Sequence, residues 1–148
     1  MPTYEYTLTI DAPRRRVWDL VSDVEGWPEI TASTTSVEAL DEKAPDGGAL
    51  AVGKRFALVQ PRLRKAVWTV TELRPGAGFS WESKAPGAVI RADHLLQDED
   101  GGTRLTLVVV QTGPLAGLIG LLFGGLTRKY TTMEAHGFKA RAEAAAGA

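Results

Sequence analysis

The sequence predicts an α+β domain in which an antiparallel sheet is covered on one face by a single long C-terminal helix. Three observations carry this. A short strand pattern and a helical stretch open the chain. Alternating apolar and polar residues then recur from about residue 53 to residue 112, with turn residues between the runs. One helix-patterned stretch begins near Pro114 and runs almost to Ala148. A lone amphipathic helix after such a meander must bury its apolar side against one face of the sheet. Where that face is wide and rich in aromatic side chains, a pocket between sheet and helix results.

Residues 3–10 alternate cleanly, with Tyr4, Tyr6, Leu8 and Ile10 on one side and Thr3, Glu5, Thr7 and Thr9 on the other. Asp11 is placed to cap a helix, Pro13 to occupy its first turn, and Val17, Trp18, Leu20 and Val21 to form its apolar side. Gly26-Trp27-Pro28 is expected to end a second short helical segment, because a residue before proline resists helical backbone. A strand is expected near Val37–Leu40, and a turn or loop over 41–52. Further strands follow at 54–60, Ala66–Arg74, from Phe79, and over 88–97 and Thr103–Thr112. Pro61-Arg62, Pro75-Gly76-Ala77-Gly78, Pro86-Gly87 and Asp98–Gly102 separate them, and Gly113-Pro114 divides sheet from helix.

The 148 residues suit one domain over 1–148, large enough to bury a core and keep a cavity. A net charge of -1 gives no electrostatic footprint for nucleic acid. With no cysteine, disulfide and thiolate chemistry are excluded. The opening residues lack a secretory pattern, and the apolar stretch Leu115 to Leu126 is short of the roughly 20 residues a membrane span needs. A cytoplasmic protein is the expectation.

Parity places Tyr6, Leu8, Phe56, Leu58, Trp68, Val70, Phe79, Trp81, Ile90, Leu107 and Val109 on the covered face. A helical row of Leu118, Leu122, Leu126, Tyr130, Met133 and Gly137 is expected to face them. These sheet residues, with Trp27, His94, Leu122, Leu126, Tyr130 and Met133, are the candidate cavity lining. Glu72, Ser83 and Gln111 share the parity of Trp68 and Trp81, as ordinary strand ends ahead of a wet cavity. His94 sits mid-strand, as either a cavity residue or a structural histidine bonded to a neighbour. If there is chemistry, His94 is the candidate general acid or base, assisted by Glu72 or Tyr130, because imidazole titrates near neutrality. His94 and His136 could ligate a metal only with carboxylates such as Glu72 or Glu134, and no metal-ligand spacing is present. No nucleophile elbow or phosphate-cradling glycine loop occurs. Arg14-Arg15-Arg16 reads as a solvated face or as a site for an anionic partner.

An ordered set of motifs resembles a known family. It comprises Ile10-Asp11-Ala12-Pro13 with Val17-Trp18, Asp23-Val24-Glu25-Gly26-Trp27-Pro28, Trp68-Thr69-Val70-Thr71-Glu72-Leu73, Phe79-Ser80-Trp81-Glu82-Ser83 and Gly101-Gly102-Thr103-Arg104-Leu105-Thr106. Across nearly the whole chain these are similar to the polyketide cyclase/dehydrase and lipid-transfer group of the START-like, birch-pollen-allergen-like (SRPBCC) superfamily. The resemblance implies a helix-grip fold: a seven-stranded antiparallel sheet wrapped around a long C-terminal helix, with two short helices between strands one and two. Members of the family bind lipids, sterols, polyketides or other hydrophobic molecules. Some are aromatase/cyclases, some carriers, and some hydrolase or stress-response subunits. No family-wide catalytic motif is matched, and no cofactor is implied. The leading expectation is binding or carriage of a hydrophobic small molecule between sheet and helix. The alternatives are a polyketide cyclase, dehydratase or aromatase using His94, and a module that contacts a membrane surface or another protein through Leu115–Leu126 with Arg128-Lys129 beside it.

Overall fold

A computed structural model describes residues 2–41 and 50–146, with side chains to residue 144. The loop expected over 41–52 lies mostly outside the described residues. The strands are β1 (Thr3–Ile10), β2 (Ser36–Ala39), β3 (Arg55–Val59), β4 (Ala66–Arg74), β5 (Gly78–Ala85), β6 (Ala88–Glu99) and β7 (Gly102–Thr112). The helices are α1 (Arg14–Ser22), α2 (Trp27–Ile30) and α3 (Ala116–Ala146), with a 3-10 turn at Val24–Gly26. The seven strands form one sheet in the order β1-β7-β6-β5-β4-β3-β2, and the strand pairs are antiparallel. This is the helix-grip arrangement, with α3 lying along the concave apolar face.

Local chemistry explains most element ends. β6 and β7 meet at Asp100-Gly101, where φ values of 42 and 83 build the two-residue turn that asparagine or aspartate before glycine favours. The hairpin is therefore tighter than the five-residue turn expected, and both strands run longer. Asp11 does not cap α1; the N-cap is Pro13, without a side-chain bond. The 3-10 turn ends at Gly26 as expected, but Trp27-Pro28 begins α2, because proline in a first turn forfeits no intrahelical bond. Arg14 pairs with Asp98 at 3.3 Å, so part of the arginine run is a solvated ion pair.

The core is a cluster of rings on the α2 side of the sheet. Trp27 is 1% exposed and meets Trp81, Phe138 and Phe79 at centroid distances of 5.3, 5.5 and 6.4 Å. Its indole N–H donates to the Val21 carbonyl at 3.2 Å. Aromatic pairs at these separations and tilts add to the area they bury. At Gly137 a Cβ would lie 2.5 Å from the Ile30 carbonyl oxygen. The missing side chain lets α3 seat against α2 and sets its height over the sheet.

The far end of α3 is tied to the start of α1. The Glu143 carboxylate accepts the Asp11 N–H at 2.8 Å and the Lys139 ammonium at 2.6 Å, and Lys139 also donates to the Thr9 carbonyl at 2.8 Å. The Asp11 N–H first, and Lys139 second, hold the Glu143 carboxyl below its ordinary value of 4.5. A depressed folded-state value contributes stability above the unfolded value, lost as pH falls through the folded one. Thermal unfolding measured from neutral to acidic pH is therefore expected to show a weaker acid slope in Glu143→Gln than in the parent. Identical slopes would show that this tie does not contribute.

Candidate functional site

A cavity of about 120 Å3 lies between the sheet and α3. Its walls are Trp27 from α2, Leu58 from β3, Trp68 from β4, Trp81 from β5, Ile90, Ala92 and His94 from β6, and Val109 and Gln111 from β7. Thr127, Tyr130, Thr131 and Glu134 of α3 form the roof, and Thr34, Gln60 and Leu63 complete the rim. Gln60, Leu63, Trp68, Ile90, Val109, Thr127 and Glu134 are half-buried and the other lining residues buried; we take the side where Gln60 and Leu63 meet Thr127 of α3 as the mouth. The Tyr130 hydroxyl donates to the Pro61 carbonyl, fastening the 60–65 turn to the helix beside that mouth.

His94 is 3% exposed and stacks on Phe79, its cross-strand partner, with centroids 4.2 Å apart and planes 9° from parallel. Gly78 makes this close pairing possible: its φ is 153, and a Cβ there would lie 2.3 Å from the His94 carbonyl oxygen. His94 Nδ1 is 3.3 Å from the Phe79 carbonyl. A carbonyl only accepts, so Nδ1 carries the hydrogen and Nε2 is turned to the carboxyl of Glu134, 3.3 Å away. The separation fits an ion pair, but Glu134 Oε1 is not aligned for a hydrogen bond and has no such partner.

Four buried side-chain polar atoms lack a hydrogen-bond partner among the described residues, and three belong to cavity walls: Trp68 Nε1, Gln111 Oε1 and Glu134 Oε1. Gln111 is 2% exposed. A buried polar group without a partner costs about 1–3 kcal/mol, so Trp68 Nε1 and Gln111 Oε1, and Glu134 Oε1 with only the His94 ring at 3.3 Å, need a reason. They supply one N–H donor and two oxygens that can accept.

The structure brings Trp27, Leu58, Trp68, Trp81, Ile90, His94, Val109 and Tyr130 to this cavity. Phe56, Val70, Phe79 and Leu107 are buried in the core behind it, and Tyr6 and Leu8 pack partly buried against that core. The Tyr6 hydroxyl is 2.7 Å from His136 Nε2, away from the cavity. Leu126 and Met133 are half-buried and outside the lining. Leu118 and Leu122 are 53% and 65% exposed, which overturns the helical row expected to face the sheet. That row steps mostly by four, and each such step turns about 40° around the axis. The row that does face the sheet is Thr127, Thr131, Glu134 and Phe138, in steps of four, three and four, with Tyr130 beside it.

Glu72 is also corrected. A register shift between Val70 and Glu72 puts Glu72 opposite Ser80, on the outer face. There it binds Arg91 at 3.1 Å and Arg74 at 3.6 Å, in a group where Ser80 also donates to Asp93 at 2.6 Å. It cannot assist His94; Glu134 is the carboxyl beside that ring. Tyr130 reaches the cavity, but its hydroxyl is held by Pro61. Ser83 and Gln111 are buried rather than frayed strand ends. Glu134, Thr127 and Thr131 were legible in the sequence as a polar stripe at helical spacing. No group of three or more His, Cys, Asp or Glu side chains among the described residues could hold a metal ion.

The family model for polyketide cyclase / dehydrase and lipid transport matches residues 1–143. The chain belongs to that family. Among curated proteins, none matches it in sequence. Among solved structures, the protein TTHA0849 from Thermus thermophilus is similar with a TM-score of 0.75 and 22% identity, over 97% of this chain and 99% of that one. The Zhui aromatase/cyclase from Streptomyces sp. R1128 gives 0.71 and 20%, over 96% and 93%. The di-domain aromatase/cyclase StfQ of the steffimycin biosynthetic pathway gives 0.77 and 14%, over 99% of this chain and 52% of that one. At these identities the likeness shows the helix-grip fold that this member of the family shares with them.

Proposed function

We propose that this family member binds a small hydrophobic molecule that contains a ring and carries at least one hydroxyl or carbonyl group. The observation that supports this best is the pairing of an aromatic-walled cavity with the side-chain atoms of Trp68, Gln111 and Glu134 that have no hydrogen bond among the described residues. Pockets of this kind draw affinity from apolar walls and selectivity from a few placed polar groups. A volume of about 120 Å3 suits a single aromatic ring, since an engineered cavity of roughly 150 Å3 holds benzene. A longer lipid or polyketide-like molecule would enter only as the 60–65 turn and α3 separate at the mouth. The test begins with mass spectrometry of small molecules extracted from the purified protein. Calorimetric titration with a ring phenol and its methyl isostere then follows. The phenol is expected to bind about tenfold tighter or more. Equal affinities, or no binding by either, would refute the reading.

The His94–Glu134 pair favours a second reading, acid–base chemistry on the bound molecule of the cyclase or dehydratase kind. An imidazole and a carboxyl side by side at the cavity, 3.3 Å apart, could take a proton from an activated carbon and return one to an oxygen. On a substrate that the protein turns over, His94→Ala is expected to lower turnover by about 10²–10⁴-fold. Unchanged turnover would leave binding alone.

A further inference from the structure

The outward side of α3 changes character along its length. Leu118, Leu121 and Leu122 are 53%, 81% and 65% exposed, and Leu115 and Phe123 flank them at 44% and 40%. Further along the same outward line comes Lys129, with Arg128 beside it, both exposed. Beside the helix lies the 60–65 turn, held to it by Tyr130 and carrying Arg62, Arg64 and Lys65. No acidic residue occurs anywhere between Asp100 and Glu134, although the whole chain has net charge -1. Acidic neighbours touch only the margins: Lys65 is 4.0 Å from Glu38, and Glu5 lines the same surface groove as Arg128.

Exposed leucines of this number on one stripe are unfavourable in water and mark a surface that something covers. Arg62 points the same way. The Leu63 N–H bonds the Gln60 carbonyl at 3.1 Å, closing a turn with Pro61 second and Arg62 third, where φ is 67. That position favours glycine, so an arginine there is held at a conformational cost.

We propose that the leucine stripe at the start of α3, together with the basic 60–65 turn, docks on an anionic membrane surface. Leucines entering the headgroup boundary beside arginine and lysine that meet anionic lipid is the pattern of an interfacial helix. No helix of the described residues is long and apolar enough to cross a membrane, so the contact lies in the plane of the surface. Leu63 of the turn and Thr127 of α3 both line the cavity, and the Thr127 hydroxyl donates to the Phe123 carbonyl beside the leucines. Docking therefore sets the mouth against the membrane, where a hydrophobic molecule can pass between lipid and cavity without crossing water.

Co-sedimentation with vesicles of phosphatidylcholine alone, and of phosphatidylcholine mixed with phosphatidylserine, tests this. The protein is expected to bind the mixed vesicles and release as salt is raised. Leu121→Glu with Leu122→Glu is expected to weaken binding about tenfold or more. Arg64→Glu, Lys129→Glu and Arg62→Gly should each weaken it by about fivefold or more. All five positions are exposed, so unchanged thermal unfolding serves as the control for the glutamate variants, whereas Arg62→Gly should unfold slightly later than the parent. Absence of binding to the mixed vesicles at low salt overturns the proposal, as does binding that ignores the leucine substitutions. A concentration-dependent dimer dissolved by Leu121→Glu with Leu122→Glu, without vesicle binding, also overturns it and assigns the stripe to a second copy of the chain.

Discussion

Trp27→Ala is expected to cost about 3–5 kcal/mol of stability, the range for emptying a large aromatic site in a packed core. Trp27 is 1% exposed and touches Trp81, Phe79, Phe138 and His94, so no single neighbour can collapse into the space it would leave. It also stands at the first residue of α2 and bonds the Val21 carbonyl, which links α1, α2, the sheet and α3 at one point. Denaturant unfolding reads the change, and the melting temperature should fall by about 10 °C or more. Trp27→Phe keeps most of the ring and loses the indole N–H, leaving the Val21 carbonyl without that donor. It should therefore cost about 1–2 kcal/mol. A loss below about 1 kcal/mol for the alanine variant would mean that the ring cluster does not hold the layers together.

Because Trp27 is also a cavity wall, the same variant enlarges the binding space. The alanine protein, where it remains folded, should accept larger rings than the parent. Stability and ligand size are coupled here through one residue. That coupling is the expected result of building a pocket from core side chains rather than on a loop.

The sheet was readable because alternation of apolar and polar residues survives in every strand that has one wet face. Trp68 and Trp81 could be placed on the covered face by counting. Counting failed at Glu72, where a bulge after Val70 shifts parity by one and sends the carboxylate to the outer face. Nothing in Thr69-Val70-Thr71-Glu72 announces that extra residue. The hairpin at Asp100-Gly101 carried its own signal, since Asp-Gly suits two left-handed positions in succession. The roof of the cavity was misplaced for a different reason. Leucine attracts the eye as the covered residue of a helix, and the leucines at 118 and 122 are outside. The residues that face the sheet from the middle of α3 are threonine, tyrosine and glutamate, because they border a cavity with polar needs rather than a closed core. A hydrophobic pattern finds cores; it passes over the polar stripe that distinguishes a site from a core.

Gln111→Leu separates these two roles. The glutamine is 2% exposed, and its Oε1 lacks a hydrogen-bond partner among the described residues. Leucine has a similar volume and no polar atom, so the substitution removes a desolvation cost without opening a void. The variant is expected to be more stable than the parent by about 1–2 kcal/mol. Its affinity for a hydroxyl-bearing ring should fall about tenfold or more, because the ligand's donor then meets a methyl group. Affinity for the methyl isostere should hold or rise. Few buried substitutions raise stability, so gain of stability with loss of selective binding is a specific signature. If the variant proved less stable, Gln111 would be engaged inside the protein. If it proved more stable but bound the phenol as well as the parent does, Gln111 would be a polar residue of the wall that no ligand uses. In either case the selectivity of the site would pass to Trp68 and to the Glu134 carboxyl beside His94.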